Sequence, residues 1–98
     1  MKVAVWNRTR AKLKKKFLEK GVTQCQMCGR ANYLSFAHRL KRRKITTQEE
    51  LEIVALLCTS NPDGKGCHDR LEYGPPEVMF ETITRLHEQI EQRELVIN

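Results

Sequence analysis

The sequence predicts a small α+β domain, a zinc-stabilised core flanked by a basic N-terminal helix and a C-terminal amphipathic helix. Three observations predict it. Four cysteines stand in two pairs, Cys25-x2-Cys28 and Cys58-x8-Cys67, with 29 residues between the pairs. NYLSFAHRL and IVALLC, in that interval and running into its second pair, read as an alternating and a buried strand. The two ends of the chain carry apolar residues at helical spacing.

Ninety-eight residues make a single domain over 1–98, near the size where a hydrophobic core alone gives marginal stability. The opening MKVAVWNRTRAKLKKK meets charge too early for a secretory signal, and no run approaches the roughly 18 apolar residues of a membrane span. A cytoplasmic setting is expected, and no membrane partner. Reducing conditions there favour metal binding over disulfides for paired cysteines.

Residues 7–20 are expected to form the first helix, with Asn7 or Thr9 as N-cap, Leu13, Phe17 and Leu18 as its apolar stripe and Gly21 as its stop. CQMCGR reads as the tight turn of a metal knuckle and opens a core over 22–74. In the strand that follows, Leu34, Phe36 and His38 share one face and Ser35 and Ala37 the other. TTQEE can cap a helical turn, SNPDGKG is a loop of turn formers, and a short helix from His68 ends at Gly74 before Pro75 and Pro76. A last helix over 76–96 aligns Met79, Ile83, Leu86 and Ile90 as a packing stripe, within the domain or against a second copy as a homodimer. His87, alone on that helix, reads as structural or surface.

The formal charge of +6 hides an asymmetry. Residues 1–44 hold fourteen Lys and Arg against the single acid Glu19, a local +13, while residues 45–98 hold four bases against eleven acids, a local −7. A basic surface beside a metal-ligand cluster points to phosphate backbones as the partner. The expected contacts are Lys14, Lys15 and Lys16 on the first helix and Arg39, Lys41, Arg42, Arg43 and Lys44 after the first strand. The competing reading is that these charges only solvate a helix face.

Four soft sulfur ligands in a tetrahedron are what zinc prefers at a structural site, so Cys25, Cys28, Cys58 and Cys67 are the expected Zn²⁺ ligands. Eight residues within the second pair exceed the usual spacing, but Asn61, Pro62, Asp63, Gly64 and Gly66 can fold the excess into a loop. Free thiols, redox pairs, or His68 in place of one cysteine are the alternatives.

A knuckle, a strand bearing AHR, an apolar strand ending in LLC, and CH opening a helix come in an order that resembles the zinc-containing HNH endonucleases, the ββα-metal fold. The resemblance covers residues 25–72. It implies metal-assisted hydrolysis of nucleic acid, DNA foremost, with structural Zn²⁺ and catalytic Mg²⁺ or Mn²⁺. It makes His38 the general base and His68 a ligand of the catalytic ion, with Glu72 one helical turn further on as a second ligand. Ala37 stands where the family places a metal-binding Asp or His. Ile53, or Glu52 in a register shifted by one, stands where it places an Asn that holds the loop behind the base. Small proteins of this type often accompany phage or mobile elements. Two other readings follow from the same residues. One is a catalytically degenerate nucleic-acid-binding module. The other is an interaction protein assembled through zinc and the C-terminal helix. His38 as a core-facing strand histidine and Glu72 as a solvated helix residue are the bland readings of those two positions.

Overall fold

The computed structural model describes residues 2–95. Helix α1 spans Val3–Glu19, strand β1 Leu34–His38, helix α2 Gln48–Leu51, strand β2 Val54–Cys58, helix α3 Cys67–Glu72 and helix α4 Pro76–Gln92, with a single 3₁₀ turn at Arg42–Lys44. The α+β class is as expected. None of these helices is long and apolar enough to cross a membrane.

Helix α1 begins four residues earlier than the expected start at residue 7. Lys2 occupies the N-cap without a side-chain hydrogen bond, so neither Asn7 nor Thr9 caps the helix. Thr9 is instead buried in it, and its hydroxyl accepts from Gln48 Nε2 at 2.9 Å. Leu13 and Phe17 face the core as expected, whereas Leu18 is exposed. The helix stops where Gly21 turns into the left-handed region at φ 73°, a conformation that costs glycine nothing.

Strands β1 and β2 form a two-stranded antiparallel sheet in the register Leu34↔Cys58, Phe36↔Leu56 and His38↔Val54. Alternation then sorts the side chains. Leu34, Phe36, Val54 and Leu56 meet Leu13 and Phe17 of α1, with the Phe17 and Phe36 rings edge to face at 5.1 Å. Ala37, Ala55 and Leu57 turn to the opposite side and meet Leu71 of α3 and Met79, Ile83 and Leu86 of α4. The sheet is thus sandwiched, and every residue of β2 is buried.

Thr47 caps α2, its hydroxyl accepting the Glu50 N–H at 3.2 Å, as the TTQEE sequence indicated. Helix α4 starts at Pro76, a residue whose fixed φ suits the first helical position, and ends at Gln92 rather than at 96, which lies outside the described residues. Its stripe of Met79, Ile83, Leu86 and Ile90 is 0–6% exposed. That stripe is spent inside the domain, so a second copy would have to meet α4 through other residues.

Candidate functional site

The sulfurs of Cys25, Cys28, Cys58 and Cys67 all lie within 4.8 Å of one another. A zinc tetrahedron with Zn–S of about 2.3 Å has S···S edges of about 3.8 Å, and Cys28 Sγ and Cys58 Sγ are 3.6 Å apart. The four cysteines are therefore arranged to hold a metal ion, and soft thiolates in that geometry suit zinc. No histidine belongs to the cluster: among the described residues these four are the one group of three or more metal donors.

Local chemistry builds the cluster. The knuckle closes with the Gly29 N–H on the Cys25 carbonyl at 2.9 Å, and Gly29 adopts φ 82°. Gln26 ties the knuckle to β2, exchanging a backbone N–H and a side-chain acceptor with Leu56 at 2.9 and 2.8 Å. On the other side, the long loop turns at Asn61–Gly64 and returns through Gly66, where a Cβ would sit 2.3 Å from the Cys58 carbonyl oxygen. Only glycine passes there. The Cys67 N–H points at Cys58 Sγ at 3.3 Å. Burial opposes ionisation of Cys25, yet main-chain N–H groups around the knuckle outweigh it and bring this thiol down to about 6. Burial and then the neighbouring sulfurs push Cys67 up, because four thiolates this close need a cation among them.

Next to this centre lies a cleft of about 660 Å³ between α1, the β1 strand and α3. His38, His68 and Glu72 all line it. The His38 Nε2 donates to the Leu51 carbonyl at 3.2 Å. A carbonyl can only accept, so the ring proton is on Nε2 and the lone pair on Nδ1. Burial, partly offset by the hydrogen bond to the Leu51 carbonyl, holds the His38 pKa below its ordinary value, so the ring is neutral at pH 7. The Trp6 ring lies against it, centroids 5.1 Å apart. His38 is half-buried on the α1 face rather than sealed in the core.

His68 sits one residue after Cys67, on the far wall of the cleft. Its Nδ1 is 2.7 Å from Ser35 Oγ. With the proton on Nδ1 and the Ser35 hydroxyl accepting it, Nε2 is left as a donor atom for a cation. Glu72 follows at i+4 and is exposed. These two side chains suit a hard divalent ion that keeps several waters, and no third protein donor accompanies them among the described residues. Ala37 supplies none and cannot be simply exchanged for one that does: it is 1% exposed and packed towards Ile83 and Leu86.

The bases divide into those that face the cleft and those that do not. Arg10, Lys14, Lys41 and Arg42 line it, and Arg42 lies over the Trp6 ring at 4.6 Å. Arg43 and Lys44 are exposed beside it. Three of the expected contacts do not line the cleft and have partners within the domain. The Arg39 guanidinium forks onto Glu50 at 2.7 and 2.8 Å, donates to Thr84 at 3.1 Å and covers the Phe80 ring at 4.3 Å. Lys16 pairs with Glu91 of α4, and Lys15 turns to Glu19 at 4.0 Å, both away from the cleft.

Trp6, Arg10 and Ser35 went unassigned in the sequence. The first two were legible in principle, because residues 6, 10 and 14 recur at i+4 on one face of α1. Ser35 carried no signal, since its role depends on a histidine 33 residues away. Ile53 and Glu52, the two positions at which the resemblance would put an Asn, are both half-buried and supply no amide. Arg39 and Glu50 hold that segment instead. His87 is structural, as expected, donating Nδ1–H to the Val54 carbonyl at 3.3 Å and facing Glu91 at 3.5 Å. No family model matches the chain, and no curated protein or solved structure matches it.

Proposed function

We propose that the chain is an HNH-type endonuclease that hydrolyses phosphodiester bonds of DNA with Mg²⁺ or Mn²⁺, on a scaffold closed by structural zinc. One observation carries the reading: a neutral histidine, a histidine and carboxylate pair, and four bases line the same cleft. A phosphate drawn in by Arg10, Lys14, Lys41 and Arg42 lies between the two walls. His38 takes a proton from the attacking water through Nδ1, since Nε2 is committed to Leu51. The carbonyl holds the ring in that orientation and stabilises the imidazolium as it forms. Ser35 holds the His68 ring through Nδ1, which leaves Nε2 as the free donor of a residue that lines the cleft. A divalent ion on His68 and Glu72 would supply charge stabilisation for the phosphate and the leaving oxygen. Arg42, a planar fork at the cleft mouth, is placed to clamp a nonbridging oxygen.

A second reading is favoured by Ala37, whose burial leaves the cation with two protein donors. On that reading the same cleft binds nucleic acid without cutting it. Incubating purified protein with plasmid and Mg²⁺ or Mn²⁺, beside a His38→Ala control, separates the two. Nicking or linearisation by wild type alone supports the nuclease. Binding with no cleavage under any divalent ion leaves the binding module.

A further inference from the structure

We infer that the cleft receives an unpaired nucleotide, with Trp6 as the platform on which its base stacks. The inference rests on the nucleic-acid reading of the cleft and adds the form of the strand. Trp6 lies in the first turns of α1 and lines the cleft together with Arg10 and Lys14. The three residues follow one another at single helical turns, about 6 Å along the axis per step. An aromatic ring followed by two bases on one stripe offers a base-stacking face and then successive phosphate contacts, the combination found in grooves for single strands.

The ring face is already in use by a mimic of a base. The Arg42 guanidinium, planar and cationic, lies 4.6 Å from the Trp6 centroid, and its residue is exposed. Stacking of an exposed arginine on an indole is weak enough to exchange. A base can take that place while Arg42 swings to the phosphate. His38 touches the same indole at 5.1 Å, so a nucleotide stacked on Trp6 brings its own backbone towards His38 Nδ1. Within a duplex each base is covered on both faces by its neighbours, so only an unpaired or extruded base can lie on Trp6.

The chain contains one tryptophan, so its fluorescence reports on this site alone. Oligodeoxythymidylate and a blunt duplex of equal length are titrated into the protein without added divalent ion, following Trp6 emission and anisotropy of the labelled strand. The single strand should quench Trp6 and bind about tenfold more tightly than the duplex. Trp6→Ala should lose about tenfold in single-strand affinity, the order expected for one base stack, and Trp6→Phe clearly less. Should Trp6→Ala fail to fold, the wild-type comparison of the two strands decides alone. A duplex that binds as tightly as the single strand overturns the inference and leaves the nucleic-acid reading standing. So does a single strand that binds Trp6→Ala with wild-type affinity. Binding of neither overturns both. Trp6-dependent binding with no cleavage on later addition of Mg²⁺ supports the inference and removes only the nuclease.

Discussion

His38 and Leu51 are joined by a 3.2 Å hydrogen bond from the ring Nε2 to the main-chain carbonyl, which ties the end of β1 to the end of α2. The bond closes a ring of four links. Arg39 follows His38 in sequence, Arg39 forks onto Glu50, and Glu50 precedes Leu51. The orientation of the imidazole therefore depends on an ion pair it does not touch. That pair is well shielded, with side chains 20% and 17% exposed.

Removing one partner of such a pair costs more than the pair is worth, because the other is left desolvated. Arg39→Ala should destabilise the fold by about 1–3 kcal/mol in urea titration. Arg39→Lys should recover only part of this, since an ammonium cannot reproduce the fork. In ¹⁵N spectra the His38 ring of Arg39→Ala should lose its single tautomer. The salt dependence of nucleic-acid binding should not change. A flattened slope in Arg39→Ala would return this residue to the phosphate contacts.

Protonation of His38 sets a pH profile. A general base works only when neutral, and burial holds this pKa below 6.5. Cleavage should therefore climb as pH rises through that depressed value and level off above it. Stability follows the same sign. His38 and His87 both have folded pKa values below 6.5, burial being the first cause of each. As pH falls below 6.5 the unfolded chain takes up protons that the folded chain refuses, so stability present above 6.5 is lost towards the folded values. Comparing urea midpoints of wild type and His87→Gln between pH 7.5 and 5 tests it. The variant should decline less steeply, and parallel curves would remove His87 from the account.

Metal removal should be more drastic. The centre joins the knuckle, β2 and α3, which otherwise meet through a modest core, so binding free energy of the metal is folding free energy. Elemental analysis should find one zinc per chain, and a chelator should abolish the cooperative melting transition. Gly66→Ala should weaken metal retention without touching a ligand, because its Cβ collides with the Cys58 carbonyl. A metal-free protein that melts at an unchanged temperature would sink the structural role of the cluster.

Electrostatic contributions to binding should separate by face. Each phosphate contact contributes about 0.9 to the slope of log affinity against log salt on duplex DNA and about 0.7 on a single strand. Neutralising Arg10, Lys14 and Lys41 together should flatten the slope by about two to three units. Neutralising Lys12, Lys15 and Lys16 should flatten it much less, since Lys12 and Lys16 already have Glu52 and Glu91 as partners. Equal effects from the two triplets would place the binding face elsewhere.

This division marks where the sequence stopped being legible. The knuckle, both strands, the capped α2 turn and the α4 stripe follow from local patterns, and the structure has each close to its expected place. The cysteine cluster was legible because its two pairs lie beside turn and strand signals that can bring them together. Charge was different. The basic first half and the acidic second half partly neutralise each other through Lys12–Glu52, Lys16–Glu91 and Arg39–Glu50, pairs separated by 40, 75 and 11 residues. Composition counts such bases as free. Only the packing of α4 and α2 against α1 and β1 decides which of them remain to meet a phosphate.

The proposed catalytic residues should separate by role under mutation. His38→Ala removes the base but neither cation donor, so turnover should fall by a factor on the order of 10² to 10⁴ with cation affinity little changed. His68→Ala and Glu72→Ala should weaken the cation instead, and excess Mn²⁺ should partly restore the rate. Ser35→Ala stands between these cases. It leaves every donor in place but frees the His68 ring, so cation affinity should fall by about tenfold while the pH profile of His38 is kept. Supplying a third donor by Ala37→Asp should not help, because the carboxylate would enter the buried side of the sheet without a partner. That variant should be strongly destabilised rather than activated. If Ala37→Asp folds and gains activity, β1 is oriented otherwise than described. If His38→Ala cuts as well as wild type, the base is not His38, and the proposed mechanism fails at its first step.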